Sequence, residues 1–339
     1  MAKGTGPPRR QPTLAQVAAR AGVSMTAASR VINNAPHVSL AKREAVEKAI
    51  RDLGYSPSRT ARALVTRRNG VIALAVSGDD PAIFGDPFFA QVIVGISAAL
   101  EETDLHLVLC LGASGRGRAR FQGLLGTHAV DGVMLTALRG DDPLVRMVEQ
   151  SGLPAVYGGR PLHGEPAWYV DVDNRGGAQA ATDRLIELGR RRIATITGLA
   201  DTEVGRSRLR GYRDALGAGG QTPYAVEASD FTVAGGAEAM RALLDTHPDL
   251  DAVFVANDNM AAGALSVLHE RGYRVPDDVA VVGFDDLEIA VRTDPPLTTV
   301  HQPIRALGGE MARMLTALLD GQQPSSLILP TRVVVRRSA

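Results

Sequence analysis

The chain has 339 residues, of which 45% are hydrophobic and 22% are charged. This composition is typical of a globular protein with two or three domains, and it excludes collagen-like, fibrous and largely disordered chains. No apolar run reaches the roughly 20 residues that a membrane-spanning helix needs, and residues 1–12 lack the apolar centre of a secretion signal, so we expect a cytoplasmic protein. Cys110 is the single cysteine, which excludes an internal disulfide and a cysteine-based metal site.

The net charge of zero conceals an asymmetry along the chain. Residues 1–68 contain 13 lysines and arginines but three acids, whereas the remaining residues contain 24 basic and 34 acidic side chains. A basic head on an acidic body is typical of a protein that binds a polyanion, because each neutralised phosphate releases condensed counterions. The head is therefore predicted to bind nucleic acid.

The basic head shows the pattern of three short helices. Thr13 begins the first in a capping box with Gln16, Ser24 caps the second, and Ser39 caps a third helix over residues 40–53. Two short helices joined by a tight, glycine-containing turn form a helix-turn-helix. The third helix can close a small core with them.

The second helix of such a unit places its N-terminal side chains on base edges in the major groove. Arg30 can bind guanine through two hydrogen bonds, Thr26 can read either base edge, and Met25 can contact a thymine methyl group. The alternative is that Met25 fills the core and Arg30 is only solvated. Side chains after this helix are better placed for phosphate contacts. The predicted DNA-binding residues of the head are Thr13, Ser24, Met25, Thr26, Ser29, Arg30, Asn33, His37, Ser39 and Tyr55.

The connector after Tyr55 contains the basic segment RTARALV, which is barely amphipathic. An isolated helix of seven or eight residues is unstable in water, because nucleation outweighs so few propagation steps. We therefore expect this segment to be ordered only when a partner holds it.

From Val71 onward, apolar strand-like runs alternate with helical segments, which indicates parallel sheets covered by helices. Two groups of four runs predict two subdomains, with a ligand bound between facing sheets at the carboxyl ends of the strands. The runs begin at residues 71, 105, 130 and 154 in the first group and at residues 192, 224, 251 and 279 in the second.

An ordered series of motifs covers nearly the whole chain: TLAQVAARAGVSMTAASRVINN, LGYSPSRTARALVTRRNGVIALAV, VDNRGG, RLRGYRDAL, VFVANDNMAAGAL, VAVVGFDD and PPLTTVHQP. With these motifs the chain resembles transcriptional repressors of the LacI/GalR family. One departure is Ala28, where the family usually has valine, and this should slightly loosen the packing of the second helix.

The resemblance implies an α/β protein with a three-helix DNA-binding domain, a hinge helix and a core of parallel sheets like that of the periplasmic binding proteins. The implied boundaries are a tail over residues 1–11, a helix-turn-helix domain over 12–57, a hinge over 58–69 and a core over 70–339. Within the core, the N-subdomain would comprise about 70–172 and 302–322, and the C-subdomain about 173–300 and 323–339. The expected state is a homodimer.

In the family, the hinge helix folds on operator DNA and pairs with that of the second subunit in the minor groove. Leu64 matches the leucine that the family wedges between base pairs, and Arg59 and Arg62 flank it. Wedging an apolar side chain unstacks a base step and kinks the duplex. Added contacts offset the free-energy cost of unstacking. The alternative is a flexible linker with an incidental leucine.

The predicted effector site combines strand-end positions with matches to the family's pocket residues. An aromatic face with arginine, asparagine and aspartate can stack on a sugar ring and hydrogen-bond its hydroxyls, so the set suits a neutral, polyhydroxylated ligand. Phe89 and Phe231 could instead be ordinary core residues. The predicted effector-binding residues are Asp86, Phe88, Phe89, Arg208, Phe231, Asn257 and Asp285.

The identity of the effector follows from local resemblance only. Thr202 stands where the purine-responsive branch of the family has arginine, which disfavours a nucleobase. Other segments resemble regulators of oligosaccharide and β-glucoside use in high-GC Gram-positive bacteria. We therefore expect a sugar that releases the protein from its operator, with a ligand that acts as co-repressor as the alternative.

Two other classes of protein share this core fold. A sugar-binding protein has no need of the basic head, and an exported one would need a secretion signal. An enzyme would need a catalytic motif, and the chain has no P-loop, H-E-x-x-H or G-x-S-x-G pattern and no glycine-rich turn after its first strand. Asp285 and Asp286 could suggest carboxylate catalysis, although paired acids after a strand are common. We expect no catalytic residue, no metal and no cofactor.

Overall fold

The computed structural model of the chain describes residues 12–32, 37–55, 68–77, 86–112, 114–164, 166–227 and 230–339. It divides into two compact units, a head of residues 1–69 and a body of residues 70–339. None of the helices in these described ranges is both long enough and apolar enough to span a membrane.

The head contains the three predicted helices, α1 (Leu14–Ala21), α2 (Met25–Ile32) and α3 (Leu40–Leu53). Thr13 and Gln16 form the predicted capping box, and the Ser24 hydroxyl accepts a hydrogen bond from the Ala27 amide at 3.2 Å. Ser39 occupies the N-cap position of α3, but its side chain makes no capping hydrogen bond, so the prediction of a Ser39 cap is wrong. The first turn of α3 is exposed, and water can satisfy its free amides.

The core of the head is small and tightly closed. Val17, Ala28 and Val46, one from each helix, are completely buried, and Tyr55 packs against the same cluster. Each helix is too short to be stable alone, so the three helices depend on these contacts with one another.

The body alternates strands and helices. Its strands are β1 (Val71–Val76), β2 (His106–Leu111), β3 (Gly132–Thr136), β4 (Ala155–Gly158), β5 (Tyr169–Val172), β6 (Ile193–Thr197), β7 (Tyr224–Glu227), β8 (Ala252–Val255), β9 (Ala280–Val282), β10 (Thr299–His301), β11 (Leu327–Leu329) and β12 (Arg332–Val334). Its helices are α4 (Pro87–Leu100), α5 (Gly115–Gly126), α6 (Pro143–Ser151), α7 (Asn174–Glu187), α8 (Glu203–Ala218), α9 (Val233–Thr246), α10 (Asp258–Glu270), α11 (Glu288–Arg292) and α12 (Ile304–Leu319).

Two parallel sheets define two lobes. The first lobe is built on a six-stranded sheet in the order β11-β5-β4-β3-β1-β2, and the second on a four-stranded sheet in the order β7-β6-β8-β9. Strands β10 and β12 form a short antiparallel pair, which isolated bridges connect to the end of β9. The eight predicted strands are all present. Strands β3, β6, β8 and β9 are buried along their whole length, which explains why they read as continuous apolar runs, whereas edge strand β2 is mostly exposed.

The chain passes between the lobes three times, after β5, between β10 and α12, and between β11 and β12. Helix α12 returns to the first lobe as expected, where Leu307 and Met311 share a core with Val92 and Ile96 of α4. The predicted boundary at residue 322 is wrong, because β11 pairs with β5 of the first sheet. Three-residue strands such as β11 carry too little periodicity to reveal which sheet they join.

Candidate functional site

The second helix of the head presents the side chains that the sequence assigns to base reading. Met25 is 58% exposed, which excludes the alternative that it fills the core, and Thr26 and Arg30 are also exposed. Ser29 and Tyr55 are half-buried. The hydroxyls of Thr13 and Ser24 cap helices α1 and α2, while His37 and Ser39 are exposed. The predicted residues Asn33, Arg59, Arg62 and Leu64 lie outside the described residues.

Arg30→Ala is expected to relax operator discrimination rather than abolish DNA binding. A bidentate contact to guanine contributes about 1–3 kcal/mol of discrimination against the wrong base, so the ratio of operator to random-DNA affinity should fall about 10- to 100-fold. Fluorescence anisotropy with both DNAs at fixed salt measures this ratio. Arg51→Ala, which removes an exposed arginine of α3, is the control and should leave the ratio within about threefold. Equal losses on both DNAs for Arg30→Ala would reduce its role to a phosphate contact.

A cavity of about 630 Å³ lies between the two lobes of the body. It is formed by loops at the carboxyl ends of both sheets, which is the position where open parallel sheets bind ligands. All seven predicted effector residues line it: Asp86, Phe88, Phe89, Arg208, Phe231, Asn257 and Asp285. The structure therefore brings together residues that are up to 199 positions apart in the sequence.

A buried ion pair lies at the wall of this cavity. The Arg208 guanidinium is 3.0 Å from the Asp285 carboxylate, and both residues are buried. Arg208 also stacks on the Phe284 ring, with 3.6 Å between its Cζ atom and the ring centroid. Because its donors are arranged in a fixed planar fork, this arginine is pre-oriented for oxygen acceptors in the cavity.

Sequence reasoning missed the residues that hold Arg208 in place. The Asn174 side chain accepts a hydrogen bond from Arg208 Nε at 2.9 Å and donates to the Asp171 carboxylate at 3.1 Å. Asp171 in turn pairs with Arg160 at 3.0 Å, and Gln302 donates to Asp285 at 2.6 Å. The sequence signals for this network were the motifs VDNRGG and PPLTTVHQP, which carry the family resemblance but do not show that their side chains bond to Arg208 and Asp285.

This network crosses between the lobes. Arg160 and Asp171 belong to the first lobe, Arg208 belongs to the second, and Asn174 lies just after the first crossover. Arginines from both lobes thus line the cavity and are connected through hydrogen-bonded side chains. A displacement of one lobe relative to the other must rearrange these bonds.

The aromatic residues of the cavity come from both lobes. Phe88 and Phe89 meet edge to face, with 5.3 Å between ring centroids, and Phe231 lies against Gly198. Phe231 has a left-handed backbone conformation, and its carbonyl accepts a hydrogen bond from Asn257 at 3.0 Å. Asn257 Oδ1 also caps α10 by accepting a hydrogen bond from the Met260 amide. This asparagine therefore joins the Phe231 loop to the start of α10.

The two adjacent acids after β9 face different partners. Asp285 lines the cavity, whereas Asp286 pairs with Arg336 and His301 and is absent from the cavity wall. Although partial burial raises it, the hydrogen bonds from Arg336 and His301 hold the pKa of Asp286 below its usual range. The two carboxylates therefore do not form an acid and base pair at the cavity.

Burial changes the protonation of several acids near the cavity. Desolvation raises the pKa of Asp285 to about 7, against the opposing effect of Arg208, and the charge of Asp86 adds to the rise. Desolvation also raises the pKa of Asp258 well above its usual value, with a further contribution from Asp285. Desolvation also raises the pKa of Asp86, although hydrogen bonds from the Phe88 amide and the Asn259 side chain oppose this rise.

The free energy of unfolding is expected to fall as the pH rises from 5.5 to 8. In this range the folded chain keeps a proton on Asp285 that the unfolded chain has already lost, so raising the pH through about 7 removes stability. For one carboxyl with these pKa values the loss is about 2 kcal/mol. Urea unfolding at several pH values measures it. Asp285→Asn should flatten the slope, and an equally steep slope in that variant would contradict the assignment.

Thr202 has a structural role at the cavity edge. Its hydroxyl accepts a hydrogen bond from the Gly205 amide at 3.1 Å, capping α8, and donates to the Leu199 carbonyl at 2.8 Å. The position where the purine-responsive branch has arginine therefore holds a short side chain that is hydrogen-bonded within its own loop.

A helix-turn-helix head on a two-lobed body with an interlobe cavity defines a DNA-binding regulator that responds to a small molecule. Residues 13–58 match the family model of bacterial regulatory proteins of the lacI family, and residues 182–339 match that of the periplasmic binding protein-like domain.

Whole-chain comparisons agree with these matches. The chain is 50% identical to the HTH-type transcriptional regulator CelR of Thermobifida fusca, over 97% of this chain and 99% of that protein. It is 36% identical to the ribose operon repressor of Escherichia coli K12, over 87% of this chain and 89% of the repressor. The chain belongs to the LacI family of transcriptional regulators.

Solved structures show the same architecture. A complex of the transcriptional regulator CelR with cellobiose matches with a TM-score of 0.77 and 47% identity, over 97% of this chain and all of that one. The lac repressor dimer bound to operator and the anti-inducer ONPF matches with a TM-score of 0.83 and 28% identity, over 97% and 99% of the two chains.

Proposed function

We propose that this regulator is a repressor that a short β-linked glucose oligosaccharide releases from its operator, with cellobiose as the first candidate. The observation that carries the proposal is the interlobe cavity, in which Arg208, Asp285 and aromatic rings from both lobes surround one space. Its volume of about 630 Å³ lies within the range of about 300–1,000 Å³ for small-molecule sites. The similarity to CelR, including its cellobiose complex, supports this sugar class.

The chemistry of the cavity suits a neutral sugar. Aromatic faces can stack on the apolar faces of pyranose rings, while a guanidinium and a carboxylate can bind neighbouring hydroxyls. Each arginine of the wall already pairs with a carboxylate, Arg208 with Asp285, Arg160 with Asp171 and Arg139 with Asp201, so the wall does not demand an anionic ligand. We propose the seven predicted residues, together with Asn174 and Gln302, as the effector site.

The proposed mechanism couples the cavity to the head through the movement of the lobes. A sugar that binds one interlobe arrangement better shifts the population toward it, and the linked hinge segments then hold or lose operator contact. To change the operator from mostly bound to mostly free, the sugar must prefer the low-affinity form about 10⁴-fold, or about 5.5 kcal/mol.

We further propose that the regulator acts as a homodimer, in the cytoplasm where its operator lies. The first lobe exposes apolar side chains on edge strand β2, at Val108, Leu109 and Leu111, and on the adjacent helix α4, at Val94. An apolar, unpaired edge strand is a liability unless another chain covers it. A second copy would also place two heads on the two halves of a palindromic operator.

We also propose that the chain has no catalytic activity toward its ligand. The two adjacent acids after β9 pair with different arginines, Asp285 with Arg208 and Asp286 with Arg336, and do not face each other as an acid and a base. Incubation with cellobiose should therefore return the disaccharide unchanged, as read by chromatography.

Calorimetry with the purified chain tests the sugar class. Cellobiose and cellotriose should bind, while ribose, maltose and hypoxanthine should bind at least about tenfold more weakly.

A second experiment measures how the sugar changes operator affinity. Operator fragments are selected from a random library, and their binding with and without cellobiose is followed by anisotropy. Release on adding cellobiose supports the repressor mechanism, tighter binding would make the sugar a co-repressor, and binding of hypoxanthine alone would overturn the sugar class.

A further inference from the structure

We propose that Arg139 and Asp201 form a latch between the two lobes that holds the effector cavity closed and slows the release of a bound sugar. Arg139 follows β3 in the first lobe, and Asp201 follows β6 in the second. Their side chains form an ion pair, with 3.1 Å between Arg139 Nε and Asp201 Oδ2. The Gly140 amide donates to the Asp201 carbonyl at 2.7 Å, so the same two loops are joined twice.

The second lobe holds its side of the latch rigidly. Thr202 Oγ1 donates to the Leu199 carbonyl at 2.8 Å, and Arg206 Nε donates to the Ala200 carbonyl at 2.8 Å. Both donors belong to the start of α8, the helix that carries Arg208. Asp201 therefore moves with the helix that presents the cavity arginine.

The first lobe holds the other side in the same way. Leu138 is buried directly before Arg139, and Asp142 caps α6 by accepting a hydrogen bond from the Leu144 amide at 2.9 Å. Because each loop is bonded to its own lobe, separation of the lobes breaks the contact between Arg139 and Asp201.

The latch lies at the edge of the cavity. Arg139 and Leu138 line the cavity from the first lobe, and Leu199 and Thr202 line it from the second. A ligand enclosed between these loops leaves only after the lobes part, so the latch affects dissociation more than association. An ion pair as exposed as this one, with side chains 51% and 45% exposed, contributes modestly, which suits a contact that must open repeatedly.

The structural part of the proposal is tested without any ligand. Spin labels are placed at exposed positions of the two lobes, as Gln122→Cys on α5 and Glu238→Cys on α9 in a Cys110→Ser background, and labelled subunits are diluted with unlabelled protein. Pulsed electron spin resonance then measures interlobe distances. Arg139→Ala, Asp201→Ala and the double variant should each move part of the population to longer distances. The charge swap, Arg139→Asp with Asp201→Arg, should return the population to the short distance.

The matched control is Arg271→Ala, which removes an ion pair of similar exposure with Asp245, away from the cavity wall. Its distance distribution should equal that of the unsubstituted chain. Equal distributions for Arg139→Ala, Asp201→Ala and the control would overturn the latch.

The kinetic part rests on the proposed function and uses cellobiose as the probe. Stopped-flow measurements should show about two- to fivefold faster dissociation for each single latch variant, nearly unchanged association, and restoration by the charge swap. If the unsubstituted chain does not bind cellobiose, the proposed effector fails while the distance measurement still decides the latch. If it binds cellobiose and all variants release it at the same rate, the latch has no role in release.

Discussion

Arg208→Met is expected to lower cellobiose affinity at least 100-fold and to leave a repressor that the sugar no longer releases. The variant removes every donor that the guanidinium presents at the cavity wall, and methionine fills a similar length without replacing them. Losing hydrogen bonds from a charged, buried donor costs about 1.5–3 kcal/mol each. Because Arg208 lies in the body and the head is a separate compact unit, operator affinity without sugar should stay within about threefold of the original.

Arg208→Met is also expected to lower the free energy of unfolding, and a second substitution at Asp285 separates this effect from the loss of sugar binding. Breaking a buried ion pair by removing one partner costs about 3–5 kcal/mol, because the remaining charge is left uncompensated. Asp285 can take up a proton, since its pKa is already about 7, so we expect the lower end of that range. Arg208→Met combined with Asp285→Leu should recover most of the lost stability in urea unfolding without recovering cellobiose binding.

The control for this pair of variants is Arg213→Met, which changes an exposed arginine on the same helix, outside the cavity wall. It should leave both sugar affinity and stability unchanged. Cellobiose binding by Arg208→Met at the original affinity would remove Arg208 from the effector site.

Leu64→Ala is expected to weaken operator binding about 100-fold while binding to random DNA changes less than about threefold. The resemblance implies that Leu64 inserts between two base pairs. The contacts of the inserted side chain offset the free-energy cost of unstacking, which is a few kcal/mol per step. Alanine is too short to fill the opened base step, so the contacts that stabilise the kinked complex are lost. Nonspecific binding depends on phosphate contacts, which the substitution leaves in place.

The measurement is anisotropy with operator and random duplexes over a range of salt concentrations. The salt slope should be nearly unchanged, because no charge is removed. Val65→Ala, the neighbouring position in the same segment, serves as the control and should lose less than about fivefold on the operator. Equal losses on both duplexes for Leu64→Ala would mean that this leucine has no wedging role.

The head and the alternation of the body could be predicted from short stretches of sequence. The capping box of Thr13 and Gln16 involves residues three positions apart, and the buried strands read as apolar runs without any knowledge of the fold. The seven predicted effector residues all line the interlobe cavity, because strand ends and family motifs mark them individually. Ser39 was a wrong prediction, since a capping residue type at a helix start does not show whether water will satisfy the amides instead.

The arrangement of the site could not be predicted in the same way. Asn174 and Arg208 are 34 positions apart, and Asp285 and Gln302 are 17 apart, so no local pattern shows that they bond. The contact of Arg139 with Asp201 spans 62 positions and joins different lobes. Likewise, β11 joins the first sheet because β5 offers it an unpaired edge, and its own three residues carry no mark of that choice.

Local order in the chain is thus sufficient for the helices, most of the strands and the basic head, because each depends on residue type and on spacing within a few positions. The charges and contacts of the cavity residues, in contrast, depend on tertiary packing. Whether Asp285 is charged, whether Asn257 faces a ligand or a loop, and whether two exposed side chains meet across a cleft all depend on solvent exclusion and on distances between distant segments, which exist only once both sheets have formed and stand facing each other.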